Sequence, residues 1–177
     1  GPQIFRASDV KDWFEARVFQ AAPVEMAGHG PRTHVVFSDG SHFAAEAIHR
    51  LRARGDTCVV VRHDPAAATP KTVGDEFAFD ATASDYSGLI DELSKAVEAP
   101  DSLLFLWPPI FAGQERSFGA FEASFAIARA LQLSGWAEQA HLIAATQNAL
   151  SAQEGDACDA LQAGVLGPWR MLSAEQS

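Results

Sequence analysis

The sequence predicts an α/β fold, a mostly parallel sheet flanked by helices on both faces. Three observations carry this expectation. Short apolar runs such as Val35-Val36-Phe37, Val59-Val60-Val61 and Leu103-Leu104-Phe105 are too continuous for strands with one wet face. Between them lie stretches whose apolar residues recur at helical spacing. Turn formers (Asp39-Gly40, Gly55, Pro108-Pro109, Gly135) mark the changes from one pattern to the other. Strands and helices alternating in this way imply right-handed crossovers between parallel strands.

In chain order, Gly1-Pro2 reads as a protease-cleavage scar and stands outside the fold. Residues 3–32 are expected to hold an extra N-terminal strand, Asp12 to Gln20, and a connector through Pro23 and Gly28-His29-Gly30-Pro31. The main unit, 33–177, opens with a strand at Thr33–Ser38 and a turn at Asp39-Gly40. A helix follows with Phe43, Ala44, Ala47, Ile48 and Leu51 on one face, closed by Gly55. Thr57–Val61 is the second strand, Ala66–Gly74 a loop, and Glu76–Phe79 a short strand. Ser84 is the expected N-cap of a helix whose stripe is Tyr86, Leu89, Ile90, Leu93 and Val97. A strand at Ser102–Trp107 is stopped by Pro108-Pro109. A long helix, about Ser117 to Leu133, follows with Phe118, Phe121, Phe125 and Ala128 or Arg129 down one side, expected in the core. His141–Thr146 is the last strand and Ala157–Leu166 a short helix, after which Gly167 to Leu172 ends the ordered pattern.

Composition narrows the function. Acidic residues number 23 against 13 Lys and Arg, a net charge of −10 without a basic run, which argues against nucleic acid as a partner. No apolar stretch is long enough to span a bilayer, and no charged-then-apolar leader opens the chain. Cys58 and Cys158 make no disulfide framework and read as small structural residues, which fits a reducing, cytoplasmic setting.

The first strand, turn and helix begin as a Rossmann-type dinucleotide unit does. That fingerprint needs glycines for the turn, for phosphate approach and for helix packing. Only Gly40 is present; Ser41, His42, Phe43 and Ala44 fill the rest. Arg62 and Asp64, after the second strand, stand where a 2′-phosphate or ribose would be read, but they lack a glycine loop beside them. Gly40, Arg62 and Asp64 are therefore weak cofactor candidates, and the expectation is a truncated Rossmann-like scaffold without a cofactor. The six histidines carry no metal-ligand spacing. Ser38, Asp39 and His42 crowd together without a nucleophile elbow. Trp107-Pro108-Pro109-Ile110-Phe111, at a strand's C-terminal end, reads equally as a docking surface or as a loop capping the core.

Several segments in one order carry a family resemblance: VVFSDG (35–40), AAEAIHRLRARGDTCVVV (44–61), DYSGLIDELSKA (85–96), LLFLW (103–107), FEASFAIARALQLSGW (121–136), HLIAATQNA (141–149) and LQAGVLGPWRML (161–172). Together they resemble the structural, N-terminal subdomain of the ketoreductase in modular polyketide synthases. The resemblance implies a non-catalytic half bracing a downstream half that binds NADPH and reduces β-ketoacyl groups on an acyl carrier protein. The strand from Trp13 to Gln20 looks like the family's leading strand, which crosses to that half. Contacts with the partner half would then fall on Trp13, Phe14, Val18, Trp107, Pro108 and Phe111. The chain lacks the catalytic half's glycine loop and its Tyr-x-x-x-Lys pair, since Tyr86 is followed four residues on by Ile90. Two other readings stand beside this one. One is a pseudo-ketoreductase remnant supporting a neighbour such as a C-methyltransferase. The other is a free-standing α/β enzyme using Asp39 and the loop from Trp107 to Phe111.

Overall fold

The computed structural model describes residues 30–111, 119–149 and 158–174. The expected N-terminal strand, with Trp13, Phe14 and Val18, lies outside them, as do Ser117 and Phe118. The described residues form a mixed α/β fold of Rossmann-like type. Its strands are β1 (Thr33–Ser38), β2 (Thr57–His63), β3 (Lys71–Val73), β4 (Glu76–Phe79), β5 (Ser102–Phe105) and β6 (His141–Ala144). Its helices are α1 (His42–Ala53), α2 (Ser87–Ala96), α3 (Gly119–Ser134), α4 (Ala160–Ala163) and α5 (Leu166–Ala174). The sheet order is β3-β4-β2-β1-β5-β6, and every neighbouring pair is parallel except β3 with β4.

Strand order explains the two layers. The chain steps from β1 to β2 on one side, then returns from β4 to β5 on the other side of β1. Right-handed crossovers in opposite directions place their helices on opposite faces. Alternation along the central strand supplies apolar groups to both. Val35 and Phe37, with Val61, Leu103 and Phe105, meet α2, α3 and α5; Val36, with Cys58, Val60 and Leu106, meets Ala44, Ile48 and Leu51 of α1.

Local chemistry fixes the ends of α1. The Ser41 hydroxyl accepts from the Ala44 N–H at 3.1 Å. At the other end Gly55 takes φ +89°, its N–H reaches Arg52 O at 3.0 Å, and the Asp56 N–H reaches Leu51 O at 3.1 Å. These two bonds form a Schellman close, and the positive φ is why glycine stands there.

The structure corrects several expectations. Phe43 is 66% exposed: α1 seats Ala44, Ile48 and Leu51 on the sheet, and Phe43 falls on its outer flank. Part of the Ala66–Gly74 loop is β3, a three-residue edge strand turned back on β4 at Gly74. It escaped notice because all three residues are exposed and show no apolar pattern. The N-cap of α2 is Tyr86, not Ser84, without a side-chain cap bond; just before it the Asp85 carboxylate accepts from both the N–H and the hydroxyl of Ser87 at 2.9 Å. Trp107 lies beyond the end of β5. On α3 the core face is Ala120, Ala123, Ser124, Ile127, Ala128 and Leu131, while Phe121 and Phe125 point outward. The residues that α3 turns to the core are mostly small, and its phenylalanines lie on the other side. Gly167 to Leu172 does not end the order but lies within α5, with Pro168 in its first turn, where a missing N–H costs nothing. Cys158 precedes α4 instead of lying on a helix, and it is exposed. No helix among the described residues is long and apolar enough to cross a membrane.

Candidate functional site

Open sheets of this kind bind ligands where the strand order reverses, at the C-terminal ends of the strands. Here that point lies between β1 and β5. The turn Asp39-Gly40-Ser41 lies beside it. Gly40 adopts φ +74°, and a Cβ built on it would meet nothing within 4 Å. The positive φ is what the turn asks of this residue. The N–H groups of the turn are already engaged: Gly40 N–H donates to Ser38 Oγ at 3.2 Å and Ser41 N–H to Asp39 Oδ1 at 3.0 Å. Ser41 Oγ takes the Ala44 N–H. Side-chain oxygens, one of them a carboxylate, thus take three N–H groups at and just before the start of α1, where a pyrophosphate would sit.

Trp107 closes the same place from the β5 side. Its ring is fully buried, and the indole N–H donates to Ser38 O at 2.9 Å, across the end of β1. The ring packs edge-on against Phe37 with centroids 5.0 Å apart, and it touches Phe105, Tyr86 and His63. Tyr86, the chain's one tyrosine, donates its hydroxyl to Ala81 O at 2.9 Å. Burial, with the charge of Asp80 adding, pushes its phenol far above its ordinary range, so it serves as a core residue and not as an acid. Pro108 is buried too, and its carbonyl accepts from the Gln162 side chain at 2.7 Å; Gln162 Oε1 accepts from Gln147 N–H at 3.2 Å. Of the two readings of this loop, Trp107 and Pro108 follow the core-capping one. The side chain of Phe111 lies outside the described part.

The remaining cofactor candidates are also occupied. Arg62 pairs with Glu76, which raises its pKa through the hydrogen bond first and the charge second. Asp64 Oδ1 accepts from Ala66 N–H at 2.9 Å and shapes its own turn. His63 Nδ1 accepts from Ala81 N–H at 3.0 Å. The strands bring Gly40, Arg62 and Asp64 to one end of the sheet, each with a local partner of its own.

A second polar cluster, not anticipated in the sequence, lies at the other end of the sheet. His34 Nδ1 and Ser102 Oγ are 2.6 Å apart, tying β1 to β5. His34 Nε2 and Asp56 Oδ2 are 3.3 Å apart, without hydrogen-bond alignment. Asp56 Oδ1 accepts from Arg32 N–H at 3.1 Å, and Arg54 Nε lies 3.7 Å from Oδ2. The Arg32 N–H above all, with His34 and Arg54 helping against burial, holds the Asp56 carboxyl below the usual carboxylate range. Composition suggests a hydrolytic triad, but the neighbouring backbone N–H groups are engaged. Thr33 N–H goes to Asp101 Oδ2, and His141 N–H to Asp101 O. Among the described residues, the backbone N–H groups of Arg32, Thr33 and His141 beside the cluster are thus drawn to Asp56 and Asp101. The cluster clamps three strands together. The signal that could have found it is positional: His34 and Ser102 each stand at the start of a strand, and Asp56 just before one.

Among the described residues no group of three or more His, Cys, Asp or Glu could hold a metal ion. No protein-family model matches the chain, and no curated protein matches it in sequence.

Proposed function

We propose that this chain is a non-catalytic structural subdomain of a polyketide synthase ketoreductase region. It would brace the half that uses NADPH to reduce β-ketoacyl groups carried by an acyl carrier protein. One observation carries the reading: the crevice at the strand switch is filled by Trp107, and the adjoining helix end is capped by Ser41 and Asp39. A fold built to bind a dinucleotide spends its hydrogen-bond donors there on itself. What is left is scaffold, together with the ordered segment resemblance. Bracing also needs a surface. The β6 edge supplies one: among the described residues it pairs with β5 alone, and Ile143 is half exposed.

The test is NADPH binding to the full chain by titration calorimetry. No binding up to roughly millimolar cofactor is expected, a free energy weaker than about −4 kcal/mol. Micromolar binding would overturn the reading, because the Gly40 turn would then be accepting a pyrophosphate in place of Asp39.

A further inference from the structure

The outward face of α3 is unusual for a helix that is otherwise core. Phe121 and Phe125 are 40% and 50% exposed, and their rings stack with centroids 6.3 Å apart. Leu133, 75% exposed, continues this side of the helix, and Met171 of α5 flanks it at 59%. A groove of about 160 Å³ beside Phe125 is lined by Ala128, Arg129, Gln132, Pro168, Met171 and Leu172. A second, of about 190 Å³, opens beside Phe121 against Leu161 and Gly164. Large apolar side chains gathered with apolar grooves on one face mark an interaction surface.

The charges on this face select the occupant. Glu122 and Arg129 are both exposed, seven residues apart along α3, with Phe125 between them. Seven residues rise about 10.5 Å, two turns, so both project to nearly the same side. An antiparallel α3 from a second copy, related by a two-fold axis beside Phe125, sets each Glu122 opposite the other copy's Arg129. The same axis brings the two Phe125 rings together and presents each aromatic ridge to the other copy's groove. A face that reads acid, aromatic, base along one helix is complementary to its own reversal, as an isologous interface requires. A parallel arrangement would set like charge against like.

We infer that the α3–α5 face binds a second copy of this chain, giving a two-fold dimer through antiparallel α3 helices. The inference goes beyond the ketoreductase reading and does not depend on it. Sedimentation velocity of the full chain, from about 1 μM to about 1 mM, tests it. A monomer–dimer equilibrium with a dissociation constant of roughly micromolar order is expected. Phe125→Glu, an exposed substitution whose fold is checked by circular dichroism, weakens the dimer about 30-fold or more. Glu122→Arg and Arg129→Glu each weaken it by about tenfold, and the two together restore it to within about threefold, because the facing pairs are merely exchanged. A monomer throughout the range overturns the inference. So does a dimer indifferent to Phe125→Glu, or a double exchange as weak as its two parts combined.

Discussion

Replacing Trp107 with alanine removes the side chain that joins the end of β1 to the core beneath α2 and α3. The indole is fully buried, in ring contact with Phe37, Phe105, Tyr86 and His63, and its N–H satisfies Ser38 O. Truncating a buried aromatic costs about 3–5 kcal/mol through lost burial and residual cavity. Losing the partner of a buried carbonyl adds about 1 kcal/mol. A total near 5 kcal/mol is a large share of the roughly 5–15 kcal/mol that holds an ordinary domain. For a chain of this length it corresponds to a fall in Tm of about 10–20 °C. Trp107→Phe separates the contributions: it keeps most ring contacts, gives up the N–H bond, and costs about 1–2 kcal/mol. Urea unfolding followed by far-ultraviolet circular dichroism measures both variants, with an unchanged m-value as the control. An alanine variant within about 1.5 kcal/mol of the parent would refute the reasoning, as would a phenylalanine variant as costly as the alanine one. Neither variant should gain NADPH binding, because Asp39 and Ser41 still cap α1.

Other expectations follow from single residues. Gly40→Asn should cost less than about 1 kcal/mol in chemical unfolding, since asparagine tolerates positive φ and a Cβ there meets nothing; Gly40→Val should cost clearly more. Asp56, Asp85 and Glu46 all have carboxyls held below the usual range, by the Arg32 N–H, the Ser87 N–H and Arg50 respectively. The folded state therefore binds fewer protons than the unfolded one near pH 4. The stability these groups contribute is complete above the ordinary carboxylate pKa of about 4 and is lost as pH falls through their lower folded values. Asp56→Asn should flatten that acid limb in a Tm-against-pH series; an unchanged limb would show that Asp56 is not part of it. With a thiol reagent at neutral pH, Cys158, which is exposed, should react at once. Cys58 is buried, with its thiol pushed up by that burial, and should react only on unfolding.

The sheet was legible in the sequence because its signal is local. Val35 to Phe37, Cys58 to Val61 and Leu103 to Phe105 are continuous apolar runs, and a run of that kind has few places to go except a covered parallel strand. The stripe of Tyr86, Leu89, Ile90, Leu93 and Val97 was equally plain, and all five are buried. What misled was side-chain size. On α3 the larger apolar residues suggest a phenylalanine face, whereas the buried face is mostly alanine, which carries little hydrophobic weight. On α1 the apolar count includes Phe43, but cap geometry and a single covering helix turn it outward. The His34–Asp56–Ser102 cluster was illegible for another reason. Its members are 22 to 68 positions apart and meet only through strand register, which a one-dimensional pattern does not contain. The candidate cofactor residues were found at the correct end of the sheet. That Gly40 and Asp64 serve their own turns while Arg62 pairs with Glu76 on the neighbouring strand is visible only in three dimensions.

The side chain of Gln162 holds the Pro108 carbonyl with its amide nitrogen and the Gln147 N–H with its oxygen. These partners come from two different strand connections, and the glutamine itself arrives late in the chain. A nascent chain leaving the ribosome would complete all six strands before it could secure the loops above them. Until Gln162 emerges, Pro108 O and Gln147 N–H must take water instead, and the loop carrying Trp107 would lack its outer fastening. The C-terminal helices are thus a closing clasp. A chain cut before α4 should keep its sheet but hold its upper loops loosely, with fast amide hydrogen exchange at Gln147 as the sign.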